Sequence, residues 1–317
     1  MKAAKESAEM PRQLNKSIVW LDHLRPIPTM LLSSALKLIR YPLALLTAAA
    51  ALAPIAVSAL TVRVSPEAPQ LGDTISVIAV PDAGDTAPPT VTIGDRAYPM
   101  FQLNGVWRAL LPTTPLEAAG RRVIQVQDSD EMRNLAVWVQ DRSFPTQSIW
   151  VQGGGSGLTE TERSQVAAFK TLVTPQRFWN GPFLRPTSGR VSTVFGVQRY
   201  YNGVFANDYY HRGVDYATGI GTPIVAPAAG RVSLVGYENQ GFRVHGNTVG
   251  LDHGQGVLSI FIHLNQIDVQ NGEFVQAGQR IGTVGFTGSA TGPHLHWGLY
   301  VNGDAVDPVP WRYDGVQ

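Results

Sequence analysis

Hydrophobic positions along the chain follow three patterns in turn. From Tyr41 to Thr61 the residues YPLALLTAAAALAPIAVSALT form an apolar run without a charge, and Lys37 and Arg40 stand just ahead of it. From Leu60 to about Asp141, short apolar stretches alternate residue by residue with polar ones: LTVRVS from Leu60, TISVIAV from Thr74, VIQVQ from Val123 and LAVWVQ from Leu135. A period of two, with β-branched residues and Pro, Gly or Asp between the stretches, predicts strands. Asn104-Gly105, set between two such runs, predicts a hairpin turn. After the glycine-rich stretch Gly153 to Gly157, a flexible linker by composition, Thr159-Glu160-Thr161-Glu162 has the form of a capping box. It predicts a helix to about Val173, stopped by Pro175. From Val191 to about Pro308 the strand pattern returns.

These patterns predict a mostly all-β chain. Residues 1–40 form a polar, basic N-terminal segment, and 41–61 a signal peptide or membrane anchor. Residues 62–150 form a small β-sandwich, immunoglobulin-like in its many short strands. Residues 151–187 hold the linker and helix, and 188–310 a second β-rich domain. Plentiful Gly (32) and Pro (22) suit such a turn-rich chain. A positive flank before an apolar run is the layout of an export signal, with Val57-Ser58-Ala59 allowing cleavage after Ala59. Forty residues are long for the region ahead of a signal. Translation from Met30 would give a conventional one, and an uncleaved anchor with a short cytoplasmic tail is the other reading. Either way the chain is expected outside the cytoplasm, in the periplasm, cell envelope or medium, and its membrane contact is confined to this segment.

A formal net charge of +1 gives no reason to expect nucleic acid as a partner. With no cysteine there is no disulfide, thiolate metal site or catalytic thiol. Chemistry therefore rests on the histidines, which gather in the C-terminal half. His211 and Asp215 form an H-x-x-x-D pair, His294 and His296 an H-x-H pair, and His263 ends the strand-like run from Leu258. Residues two apart on a strand share a face, so His294 and His296 point together while Leu295, Trp297 and Leu299 take the other side. Gly298 continues the histidine face without a side chain, which predicts room for a ligand. Imidazole and carboxylate are zinc ligands, and a catalytic zinc site uses three protein ligands and an open position. Bound zinc polarises carbonyls, and neighbouring neutral histidines can move protons or stabilise an oxyanion. Five groups exceed the need of a structural zinc site.

Alone, an H-x-H pair is more often a surface or packing feature than a ligand pair, and H-x-x-x-D is weaker still. Context changes this: the loop from Gly285 to Pro293 delivers His294. The stretch HRGVDYATGIGTPIVAPAAGRV from His211, IHL at Ile262 and GQRIGTVGFTGSATGPHLHWGLYVNG from Gly278 together resemble the lysostaphin/LytM peptidases of family M23. So do Phe195-Gly196 ahead of them and Val306-Asp307-Pro308 after. The resemblance covers about Ser188 to Pro308. It implies a β-rich domain with an open groove, one zinc ion held by His211, Asp215 and His296, and catalytic roles for His263 and His294. It also implies hydrolysis of peptide bonds in bacterial peptidoglycan, of a crosslink or a glycine bridge. The alternative is a non-catalytic envelope module that activates other wall hydrolases, although relatives of that kind lack one or more of the five residues. A structural zinc site would need a fourth protein ligand. His245 and His253 read as turn or packing residues between strands, and Trp297 as core. Tyr209 and Tyr210 fit the groove border, the surface or the core equally, and the oligomeric state is not legible.

Overall fold

The computed structural model describes residues 60–80, 87–150 and 157–313. The expected segment 1–40 lies outside them, as does the apolar run 41–61 except for its last two residues. Those two belong to the fold: Leu60 is buried in a core and Thr61 opens the first strand. Among the described residues no helix is long and apolar enough to cross a membrane.

The predicted sandwich is present. Strands Thr61–Ser65, Thr74–Val80, Val106–Pro112 and Phe101–Leu103 form one four-stranded antiparallel sheet, in that spatial order. Arg96–Tyr98, Thr90–Ile93, Gly120–Gln127 and Met132–Val139 form the other. Alternate residues such as Ile75, Val77, Val91, Ile124 and Val126 meet between them in one apolar core. The hairpin between Phe101–Leu103 and Val106–Pro112 turns at Asn104 and Gly105, with φ of 50° and 84°. Two consecutive left-handed residues match the right-handed twist of the strands, which is why Asn-Gly stands there.

The C-terminal half is built on a ten-stranded sheet. Its long path runs Arg190–Thr193, Val214–Ala217, His294–Val301, Val257–Ile267, Asn247–Gly254, Gly230–Gly236 and Phe274–Val275, every neighbour antiparallel. The central strand VLSIFIHLNQI is buried along its first eight residues apart from the half-buried Ile262.

The helix spans Glu160–Lys170, three residues shorter than predicted, and Thr171 caps it. Its face Glu162, Val166 and Phe169 is buried, at the four- and three-residue spacing that aligns side chains along a helix. Phe169 lies over Gly250, where a Cβ would come within 2.7 Å of the ring. The helix thus shares the C-terminal core, together with Trp179 and Phe183 from the segment that follows it.

The sandwich is tied to the same body. Thr146–Ile149 pairs in parallel with Gln198–Tyr201, making a small three-stranded sheet with Val204–Phe205. Arg142 pairs with the buried Asp307 at 2.7 Å, Arg108 donates to Gln255 at 2.7 Å, and Asn302 donates to the Leu110 carbonyl at 2.7 Å. Gln255 and Asn302 lie at the end of the central strands away from the histidines. Asn302 is six positions beyond His296, about 20 Å along a strand.

Phe169→Ala should lower unfolding stability by about 3–5 kcal/mol, as for other buried aromatics. Denaturant titration followed by tryptophan fluorescence measures it. A loss below about 1 kcal/mol would contradict the helix's place in the core.

Candidate active site

Strand register builds the site. Val214–Ala217 pairs with His294–Val301 so that Asp215 stands opposite His296 and Ala217 opposite His294. On the other side of the same strand, Ile262 stands opposite His296. Leu295, Trp297 and Leu299 point the other way and are fully buried, as the alternation requires. The Trp297 indole donates to Ser259 Oγ at 3.1 Å, which locks that face.

His211 arrives from a loop. Its backbone exchanges two hydrogen bonds with the preceding turn: its N–H donates to Val197 O at 2.8 Å, and its carbonyl accepts from Gly196 N at 2.9 Å. Gly196 has φ of +85°, and a Cβ there would lie 2.1 Å from the Phe144 ring, so only glycine fits the turn. Gly213 is constrained by the site itself: a Cβ would lie 2.3 Å from Trp297 O and 2.8 Å from His296 Nε2.

Three donor atoms converge. His211 Nε2 is 3.0 Å from Asp215 Oδ1 and 3.0 Å from His296 Nδ1, and His296 Nδ1 is 2.9 Å from Asp215 Oδ1. Two more imidazoles stand beside them. His294 Nε2 is 3.9 Å from Asp215 Oδ1, and the His263 and His294 rings are 4.8 Å apart between centroids. Backbone carbonyls orient three of the rings. The Nδ1–H groups of His211, His263 and His294 donate to Val194 O, Thr287 O and Gly292 O, each at 2.8 Å. With Nδ1 so engaged, each ring presents its Nε2 to the site.

Burial sets the charges. Desolvation alone would raise the Asp215 carboxyl, but the hydrogen bonds and charges of His211 and His296 outweigh it and hold the group well below the usual carboxylate range. Desolvation lowers His296 to about 4, only partly offset by Asp215. Desolvation, then repulsion from His294 and His296, lowers His263 to about 3. The site therefore holds the Asp215 carboxylate beside imidazoles kept neutral at His263 and His296, and neutral imidazole and carboxylate are the protonation states that bind a metal cation.

Two expectations are corrected. Gly298 leaves no room for a ligand, because a Cβ there would lie 3.0 Å from both Arg212 O and Ile260 Cγ2, so protein fills the space. His263 does not end its strand, which continues to Ile267; it sits at an irregularity with φ of +66°. Nothing in the periodicity signalled a left-handed histidine.

The remaining candidates separate clearly. His253 lies within Asn247–Gly254 rather than between strands and is fully buried. Its Nδ1–H donates to Ala229 O at 2.9 Å, and Ser259 Oγ is 2.9 Å from its Nε2. His245 lies in a turn and donates from Nδ1 to Glu162 Oε1 at 2.6 Å. Tyr210 is core, with its hydroxyl donating to Ala305 O at 3.1 Å. The Arg199 and Arg212 guanidiniums both lie over the Tyr209 ring, and burial pushes its hydroxyl up to about 12.

Residues 209–308 match the profile of peptidase family M23. The match contains all five groups in their converging arrangement. Residues 209–308 are an M23 peptidase domain.

An uncharacterized metalloprotease of Haemophilus influenzae is 39% identical over 127 residues, 40% of this chain and 26% of that protein. The peptidoglycan DD-endopeptidase ShyC of Vibrio cholerae is 40% identical over 119 residues, 38% of this chain and 26% of that protein. The chain thus spans about a quarter of the length of these two relatives, as their 26% coverage shows. A crystal structure of a putative M23 peptidase from Pseudomonas aeruginosa superposes with a TM-score of 0.58 at 29% identity, over 77% of this chain and 94% of that one. That likeness therefore extends well beyond the M23 domain, into the residues before it.

Desolvation holds His253 neutral down to about 4, against 6.5 for a free imidazole. As pH falls, the unfolded chain takes up this proton first. The stability this residue contributes is full above about pH 6.5 and drains toward about pH 4, by up to ~1.4 kcal/mol per pH unit. His253→Gln should be less stable near neutrality yet lose stability less steeply on acidification to about pH 5. Denaturation curves across that range measure it, and equal slopes in the two proteins would contradict it.

Proposed function

We propose that this protein is a zinc-dependent endopeptidase that hydrolyses peptide crosslinks or bridges of bacterial peptidoglycan in the cell envelope. The observation that carries the proposal is the triangle of His211, Asp215 and His296 donors, with sides of 2.9–3.0 Å, beside two further imidazoles. Neighbouring ligands of a tetrahedral zinc with bonds of ~2.0–2.1 Å are about 3.3 Å apart, so the donor set fits that ion. Two neutral nitrogens and one carboxylate are its usual ligand types, and three ligands leave a position open for substrate. The M23 match, and the activity named for the relative ShyC, support the same reading.

His211, Asp215 and His296 would hold one zinc ion, which supplies Lewis acidity toward the scissile carbonyl. The other two histidines handle protons. The His263 ring is held neutral with Nδ1–H on Thr287 O, so its Nε2 lone pair accepts a proton from the attacking water. As the C–N bond breaks, that proton passes to the leaving amine nitrogen. His294, its Nδ1–H fixed on Gly292 O, stands beside His263 and Asp215; once its Nε2 has taken up a second proton, that N–H donates to the charge developing on the carbonyl oxygen. Carbonyl anchors on both rings keep them oriented before substrate arrives, which limits reorganisation during reaction.

Purified peptidoglycan incubated with the zinc-loaded chain should release soluble fragments with new amino termini, and their sequence identifies the bond cut. A chelator or His296→Ala should abolish release. His263→Ala should retain the metal and lose about 10²–10⁴-fold in kcat. Folded, zinc-loaded protein that releases nothing from any wall type would overturn the enzymatic reading in favour of a non-catalytic envelope module.

A further inference from the structure

A fully buried polar anchor near the site comes from outside the M23 match. Glu162, on the helix Glu160–Lys170, has no exposed side-chain surface. Its carboxylate does not fold back on the helix end as a capping box would. Instead Oε1 accepts from His245 N at 2.6 Å, His245 Nδ1 at 2.6 Å and Val244 N at 3.1 Å, and Oε2 lies 3.3 Å from Val244 N. Thr159, the cap of the same helix, donates its hydroxyl to Gly241 O at 2.7 Å. Helix end and loop 241–246 are thus clipped together at two points.

The other side of the gripped segment faces the active-site loops. His245 O accepts from His263 N at 2.9 Å, and Val244 O accepts from Ser289 N at 2.9 Å. Gly246 lies against Thr287, where a Cβ would come within 2.5 Å of Thr287 C and Oγ1, and Asn247 N donates to that same hydroxyl at 3.0 Å. Thr287 O is the acceptor for the His263 ring. Segment 244–247 therefore supports His263 twice, at its backbone through His245 and at its imidazole through Thr287. That support matters because His263 has φ of +66°, a conformation a residue with a side chain keeps only when its surroundings impose it.

We propose that Glu162 is a positioning residue for the peptidase, holding the Val244–His245 backbone so that His263 and the loop leading to His294 keep their working orientation. This inference rests on the functional reading above for its kinetic consequence, but not for its structural one. A carboxylate accepting three N–H groups is a stiff clamp, because charged acceptors make the stronger hydrogen bonds. It touches neither substrate nor the three metal-binding side chains. Its loss should therefore misplace a proton-handling ring while leaving metal binding intact.

The test uses the intact, zinc-loaded chain with ¹⁵N-labelled histidine. Glu162→Ala should lower kcat about 100-fold with zinc content kept and KM little changed, since misplacements near 1 Å cost about that much. Glu162→Gln retains one acceptor oxygen and should recover part of the loss, to about 10-fold below the parent. In both variants the His263 Nδ1–H resonance should shift and exchange faster with solvent. Thr159→Ala removes the other clip and serves as the control: a lower thermal midpoint with kcat unchanged. If Glu162→Ala does not fold, Glu162→Gln decides. An unaltered His263 signal in folded Glu162→Gln would overturn the proposal, as would losses of kcat that merely follow zinc content or folded fraction in all three variants. If the parent chain itself proves inactive, the functional reading fails while the His263 resonances still decide the positioning role.

Discussion

A carboxylate shut away from water must be met by donors or by a cation, and at Asp215 that requirement governs the architecture around it. Two imidazoles reach the same oxygen, one from a loop four residues earlier and one from the neighbouring strand. Antiparallel pairing of Val214–Ala217 with His294–Val301 places Asp215 opposite His296, and a one-residue slip would turn His296 away and bring Leu295 or Trp297 into its place. The apolar residues behind the strand oppose such a slip, because Leu295, Trp297 and Leu299 are fully buried and would each have to enter water. Hydrophobic burial on one face thus sets the polar geometry on the other. The close approach of the His211 loop depends on the same pairing, since at Gly213 any side chain would strike Trp297 O.

Around that centre the chain uses its own backbone as the outer layer of support. Val194, Thr287 and Gly292 carbonyls hold three imidazoles, the first from the turn before His211 and the other two from the loop 285–293. Those loops are steadied in turn. The His211 loop leans on the Phe195-Gly196 turn beneath Phe144, and the segment supporting His263 leans on the helix through Glu162. Groups well before residue 209 therefore take part in the site's geometry without touching it. The β-sandwich joins the body at the opposite end of the central strands through Arg108 and the Leu110 carbonyl, and through Arg142 on Asp307. Its parallel strand Thr146–Ile149 extends the hairpin that follows the His211 support turn.

Much of this was legible in the residues alone. Period-two patterning located the sandwich strands, because a half-buried sheet forces alternation. Asn104-Gly105 announced its turn, because few residues accept left-handed backbone twice in succession. The H-x-H spacing put His294 and His296 on one face, since a strand allows nothing else. Other features were misread for physical reasons. Gly298 looked like space for a ligand, but an absent side chain is as easily filled by a neighbouring backbone. Thr159 and Glu162 looked like a closed capping box, and only half of it formed: three N–H groups of the 244–245 loop offered Glu162 more than the helix end did. His253, read as a turn or packing residue between strands, is a packing residue within a strand, where Ala229 O and Ser259 give it both hydrogen bonds that a buried neutral imidazole needs.

The sequence by itself determined the β-rich architecture and the shared face of His294 and His296, because each follows from local periodicity, while the grouping of all five residues rested on the resemblance to family M23. Only the tertiary structure decided how near those groups come to one another, which ring nitrogen each histidine presents, and that the left-handed His263 bonds to a segment anchored on a helix more than ninety residues earlier in the chain. Those properties depend on contacts between segments distant in sequence, formed by register, close packing and the need to satisfy buried donors. No local pattern encodes them.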